Sequence, residues 1–205
     1  GEIDLASTFL REAADAAADD TRARHEALQA LVQLRLTNGG PEAAMAELDR
    51  IIAAEPEARS FRVLRAGLLF DLGQADEAIA ALRALLDEEG IAPGTAGNAR
   101  VALARMLLAD GDVAGARTLV EEAVEADPAE VDALKMLAAW LVEEDRTDVA
   151  ISRLRTVLDL APEDPEALTL MAEAHARNGE RDLARNFLSR AVEVSDAAPA
   201  ETIRY

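Results

Sequence analysis

The stretch VDALKMLAAWLVEEDRTDVAISRLRTVLDLAPED, Val131–Asp164, carries two apolar faces separated by a charged turn. Leu134, Leu137, Ala138 and Leu141 follow the i, i+3, i+4, i+7 spacing of one helix face. After Glu143, Glu144, Asp145 and Arg146, a second face is built by Ala150, Leu154 and Val157. Asp164 followed by Pro165 marks the next start, because an aspartate caps a helix and a proline at the first helical position lacks only an N–H that would have no partner. The stretch therefore reads as helix, turn, helix and stop.

The same design recurs along the chain. Ala44, Ala78, Ala116, Ala150 and Ala184 each stand four residues before a large aliphatic residue, Leu48, Leu82, Val120, Leu154 and Leu188, and they are spaced by 34, 38, 34 and 34 residues. Ala6 with Leu10 extends the series backwards by a further 38. A second small or β-branched residue precedes each alanine by twelve positions, at Val32, Ala66, Ala104, Ala138 and Ala172. The first and last members of the series explain why DLASTFLREA (Asp4–Ala13) and DLARNFLSRA (Asp182–Ala191) share six of ten residues. A period of this size marks an array of supersecondary units that bury their apolar faces on one another. Gly39, Gly73, Gly111 and Gly179 fall between the two helices of four units, where positive φ ends a helix without Cβ strain. Asp145 takes that place in the fourth unit, which predicts a strained or differently shaped turn there.

At these residues the chain resembles the tetratricopeptide repeat family, whose unit is 34 residues of helix, turn and helix. The resemblance implies an all-α solenoid of stacked antiparallel helix pairs. Its divisions are residues 1–24 as the second helix of a preceding repeat plus linker, repeats at 25–58, 59–96, 97–130, 131–164 and 165–198, and the start of a further helix at 199–205. Two four-residue insertions break the period. Thr21–Arg24 contains no Gly or Pro and adds about one turn of helix. Pro93–Ala96, flanked by Gly90, Gly94 and Gly97, reads as a loop. Arg62, Arg65 and Arg100 stand where the family usually places apolar residues.

Composition narrows the chemistry. The 205 residues are half hydrophobic but only 3% aromatic, so the core is built from Ala, Leu and Val, a helical palette. With no Cys, disulfides and thiolate metal sites are excluded. A net charge of −19 would repel a phosphate backbone, so nucleic acid is not an expected partner. No apolar run is long enough for a membrane span, and no signal peptide is recognisable. Gly1 in place of an initiator Met reads as an excised piece of something longer. The bias to Ala and to Arg over Lys fits a GC-rich bacterial gene, with the cytoplasm favoured over the periplasm.

No catalytic motif, cofactor loop or metal-ligand spacing is present, and no cofactor is expected. His25 and His175 lie 150 residues apart, and His175 reads as a packing residue. Trp140 has Leu34, Leu68, Met106 and Ala174 at the equivalent positions, so it too reads as packing. Function is then expected from a surface. The resemblance implies that the first helices line a concave wall at Gln29, Gln33 and Leu36, then Val63, Gly67 and Phe70, then Val101, Arg105 and Leu108. Lys135, Ala139 and Val142 follow, then Thr169, Glu173 and Ala176. The family's Lys and Asn clamp for a C-terminal carboxylate is broken, because Ala139 and Leu170 stand where Asn is needed. Arg105 and Lys135 are the cations of this wall and would hold a partner's carboxylate. The expected function is a non-catalytic scaffold that binds a peptide segment of a protein partner. The alternatives are a docking or regulatory arm of a larger enzyme, and a self-association module using the apolar faces of the half-units at the ends.

Overall fold

The computed structural model describes residues 2–197, which form ten α-helices and no strand among the described residues. They are α1 (Glu2–Ala16), α2 (Thr21–Ala54), α3 (Ser60–Asp71), α4 (Ala75–Leu86), α5 (Pro93–Ala109), α6 (Val113–Ala126), α7 (Val131–Glu143), α8 (Thr147–Leu160), α9 (Pro165–Arg177) and α10 (Arg181–Ala197). Residues 199–205 lie outside the described residues. The chain divides between Thr95 and Ala96 into two compact units. In the first, α1 packs on α2, α2 on α3 and α3 on α4; in the second, α7 packs on α8 and α9, and α9 on α10.

Three helix starts follow the capping chemistry. Asp20 accepts hydrogen bonds from the Arg22 and Ala23 amides, Asp112 from Gly115, and Asp164 from Ala167. The helix ends share one device. At Gly73, Gly111, Asp145 and Gly179 the residue in positive φ donates to the carbonyl three residues back, and its successor donates to the carbonyl five residues back from itself. Both are the bonds of a Schellman ending. The Asp145 turn is thus strained as the sequence implies, with φ 57°, but it is not differently shaped.

Two turns depart from expectation. In the first repeat Gly40, not Gly39, takes positive φ, and it breaks the long α2 into two helical halves with Pro41 opening the second. Gly39 is needed for a different reason: a Cβ there would come within 2.6 Å of the Ala43 Cβ. The second correction concerns Pro93–Ala96, which is the first turn of α5 and not a loop; the loop is Asp87–Ala92. Pro93 opens the helix because its fixed φ suits the first position. Thr21–Arg24 is likewise the first turn of α2, so the linker before it is only residues 17–20.

The core is small side chains where helices cross and leucines around them. In the first unit Ala14, Leu28, Val32, Ala44, Leu48, Ile51, Phe61 and Leu68 form one buried cluster. In the second, Leu134, Ala138, Leu141, Ala150, Leu154 and Val157 are buried with Ala167, Leu168 and Met171 of α9. Arg62, Arg65 and Arg100 are accommodated by pairing: Arg62 with Glu88 at 2.6 Å, Arg65 with Asp49 at 2.7 Å and Arg100 with Glu122 at 3.5 Å. Their stems cover apolar surface while their guanidinium groups reach acids, so the register survives the substitutions.

Ala138 and Ala150 are both fully buried. Ala150→Leu is expected to overpack this site and cost about 1–3 kcal/mol in thermal or chemical unfolding; an unchanged melting point would reject the tight crossing. Asp145→Gly is expected to stabilise the chain by about 0.5 kcal/mol by removing Cβ strain at positive φ, whereas Asp145→Val should destabilise it.

Candidate functional site

In the first unit, Gln29 and Gln33 on the first half of α2 are exposed, and Leu36 is half-buried against the core cluster. On α3, Val63, Gly67 and Phe70 are half-buried. In the second unit Arg105, Glu173 and Ala176 are exposed, and Leu108, Ala139 and Thr169 are half-buried. Val101, Lys135 and Val142 differ: they are 4%, 8% and 2% exposed, which makes them part of the packed interior instead of its lining. For Val101 the reason is that α5 is buried on several sides, with Ala99, Leu103, Ala104, Met106 and Leu107 also inside.

The two cations of the wall are already engaged. Lys135 Nζ lies 3.1 Å from Asp132, 3.0 Å from Asp164 and 2.9 Å from Glu166, and Arg105 reaches the second oxygen of Asp132 at 3.5 Å. Burial by itself would lower the Lys135 ammonium, yet its bonds to Glu166, Asp164 and Asp132 push it above its ordinary value. Asp164 works at both ends. Its Oδ1 caps α9 by accepting from Ala167 N at 2.8 Å, while its Oδ2 accepts from Lys135. Burial alone would raise this carboxyl, but the Ala167 amide and the Lys135 ammonium more than reverse that and hold it below the usual carboxylate range. The expectation that Lys135 holds a partner's carboxylate is therefore corrected, because three carboxylates already surround its ammonium, while Arg105 is half exposed and pairs with one of them, Asp132.

The remaining candidates are packing groups. His175 is buried, stacks on Phe187 with ring centroids 5.4 Å apart, and has Nδ1 at 2.5 Å from Glu180 across the helix turn. His25 lies against Phe61, 4.6 Å between centroids. Trp140 is half-buried with the Arg117 guanidinium over its ring at 5.9 Å. Among the described residues no helix is long and apolar enough to cross a membrane.

Family models described as "Tetratricopeptide repeat" match residues 29–96, 68–131 and 101–141 and, in a second model, 141–200. With this helix-pair geometry, the chain belongs to the tetratricopeptide repeat family. It is 30% identical over 190 residues to cellulose synthase operon protein C of Pseudomonas fluorescens (strain SBW25), covering 82% of this chain and 14% of the relative's length. Among solved structures it resembles BtubC from P. vanneervenii, at 18% identity and a TM-score of 0.66 over 99% of this chain and 94% of that one. It also resembles YrrB, described as a TPR protein with an unusual peptide-binding site, at 18% identity and a TM-score of 0.52 over 90% of this chain and 93% of that one. These structural likenesses bear on the fold.

The Lys135 cage generates a pH-dependent prediction. Asp164 has a folded pKa below its unfolded one, so its contribution is complete above the ordinary carboxylate pKa, about 4, and is lost as pH falls through the depressed folded value. At neutral pH, Lys135→Met should cost about 1–3 kcal/mol by leaving partly buried carboxylates unpaired. As pH falls from about 4 towards 2, the wild-type melting temperature should fall more steeply than that of Lys135→Met. Parallel profiles would show that the cage contributes no pH-linked stability.

Proposed function

We propose that this chain is a non-catalytic interaction scaffold that holds a peptide segment of a protein partner along its first helices, in the assembly of a larger complex. The observation that carries this reading is that, within each unit, apolar residues of the first helices, Val63 and Phe70 in the first and Leu108 in the second, are only half-buried in a chain with a net charge of −19. Apolar side chains left accessible at helical spacing beside a completed core are a docking feature. Membership of a family whose members generally act as scaffolds supports it, as does the fold shared with a peptide-binding protein. Because Lys135 and Arg105 are occupied by acids, the affinity comes from apolar contact and not from a salt bridge to the partner's carboxylate.

A second reading is favoured by the two end helices. Ile3, Leu5 and Phe9 are exposed on α1, and Leu183, Leu188 and Val192 on α10, as they would be in a module that associates with itself. The same chain could equally be an arm of a longer protein, as it corresponds to 14% of the length of its curated relative.

Leu108→Glu is expected to abolish capture of partners from a lysate of the source organism while leaving the helical circular-dichroism signal intact, and Phe70→Glu should do the same in the first unit. Reversing Glu121 or Glu122 should have little effect. Unchanged capture by both folded variants would refute the apolar wall. Light scattering across concentration separates a monomeric scaffold from a self-associating module.

A further inference from the structure

The two insertions that break the 34-residue period meet at one place. A cavity of about 360 Å³ in the first unit is lined by Thr21, Arg24 and His25 from the added turn of α2 and its successor, by Ala92 at the end of the Asp87–Ala92 loop, and by Thr95 in the added turn of α5. Arg59 and Ser60, where α3 begins without an added turn, line it as well. Four residues lengthen a helix by about 6 Å. The cavity is thus a notch made by lengthening two helix starts around one that was not lengthened, and its volume falls within the range of small-ligand clefts, about 300–1,000 Å³.

The notch offers free bonding groups of both signs. Arg24 directs Nε and Nη2 to the same oxygen of Glu55, Oε1, at 2.7 and 2.5 Å, which leaves Oε2 free to accept. Arg59 is oriented by Glu88, which takes its Nε at 2.9 Å, while Nη1 faces Glu57 at 3.2 Å and Nη2 makes no hydrogen bond among the described residues. Glu57 is 87% exposed, so its pairing with Arg59 is readily exchanged for a ligand. Glu88 is also held by Arg62 at 2.6 Å, which anchors the loop that carries Gly90 and Ala92 against the notch. The hydroxyls of Thr21 and Thr95 bond to no other described residue. Arg24 and Arg59 balance Glu55 and Glu57, so a simple anion or a simple cation would each meet two like charges. A ligand that carries both signs meets a partner for each.

We propose that this notch binds a free α-amino acid, its carboxylate on Arg59 and the flanking hydroxyls and its ammonium on Glu55 and Glu57. The site is separate from the apolar wall and does not depend on it. The test is calorimetric titration of the whole chain with the common free α-amino acids at millimolar concentration, each beside its N-acetyl and its amide derivative. At least one free amino acid should bind saturably, and both blocked forms should bind about tenfold or more weakly because each loses one charge pair. Arg59→Gln and Glu55→Gln should weaken binding similarly. Since Arg59→Gln also releases the Glu88 loop, Thr95→Leu provides a second variant: it fills the notch, keeps the Arg59–Glu88 pair, and should abolish binding with the helical signal unchanged. No binding by any free amino acid, equal binding of an amino acid and its N-acetyl form, or undiminished binding by folded Thr95→Leu would each overturn the proposal.

Discussion

Where two helices of a pair cross, the distance between their axes is set by the smallest side chain at the contact, and in this protein that side chain is alanine. Ala44, Ala78, Ala116 and Ala150 have no exposed surface, and the aliphatic residue four positions on in each case, Leu48, Leu82, Val120 or Leu154, is buried as well. The close approach puts backbone next to backbone, so Ala, Leu and Val fill most of the interior and Phe61 is the aromatic ring that is fully buried among the described residues. It also fixes the turns. Two helices this close must be joined by a short connection, and the Schellman endings at Gly73, Gly111, Asp145 and Gly179 supply it.

Acid–base pairs then tie helices together, both within a pair and between neighbouring pairs. Glu88 receives Arg59 and Arg62, Glu144 receives Arg117, and the guanidinium of Arg24 bridges Glu55 and the Ala14 carbonyl. Glu47, buried on the second half of α2, lies at 2.7 Å from Arg11 of α1 and at 3.3 and 3.6 Å from Arg50 and Arg35. The excess of acid over base makes such pairing easy, and the surplus carboxylates remain on the outside, where water screens them.

The helix pairs were legible because they depend on spacing along the chain, which the sequence displays directly. Less legible was whatever depends on neighbours distant in sequence. Lys135 reads as a wall cation until Asp164 and Glu166, about one repeat later, are seen to enclose it. Val101 and Val142 share the periodicity of lining residues, and only the number of sides on which their helices are covered assigns them to the interior. At Gly39 and Gly40 two adjacent glycines serve different needs, close approach and positive φ, and the pattern alone does not say which does which. The glycines flanking Pro93 are a loop signal, although proline is equally at home in a helix's first turn, where it stands in α5. The period breaks were visible as insertions, but the notch between them exists only once the helices are set side by side.

Asp164 has one carboxylate oxygen committed to the start of α9 and the other to the lysine of α7. A helix whose first turn is held only by its own cap can fray without consequence for the rest of a protein. Here fraying of α9 would deprive the Lys135 ammonium of α7 of its carboxylate partner, and withdrawal of Lys135 would weaken the cap. The two events are therefore coupled, and local opening is replaced by a larger step in which a repeat boundary yields as a whole. A linear array can in principle come apart one helix at a time; a shared carboxylate at the joint makes neighbouring repeats exchange with solvent together.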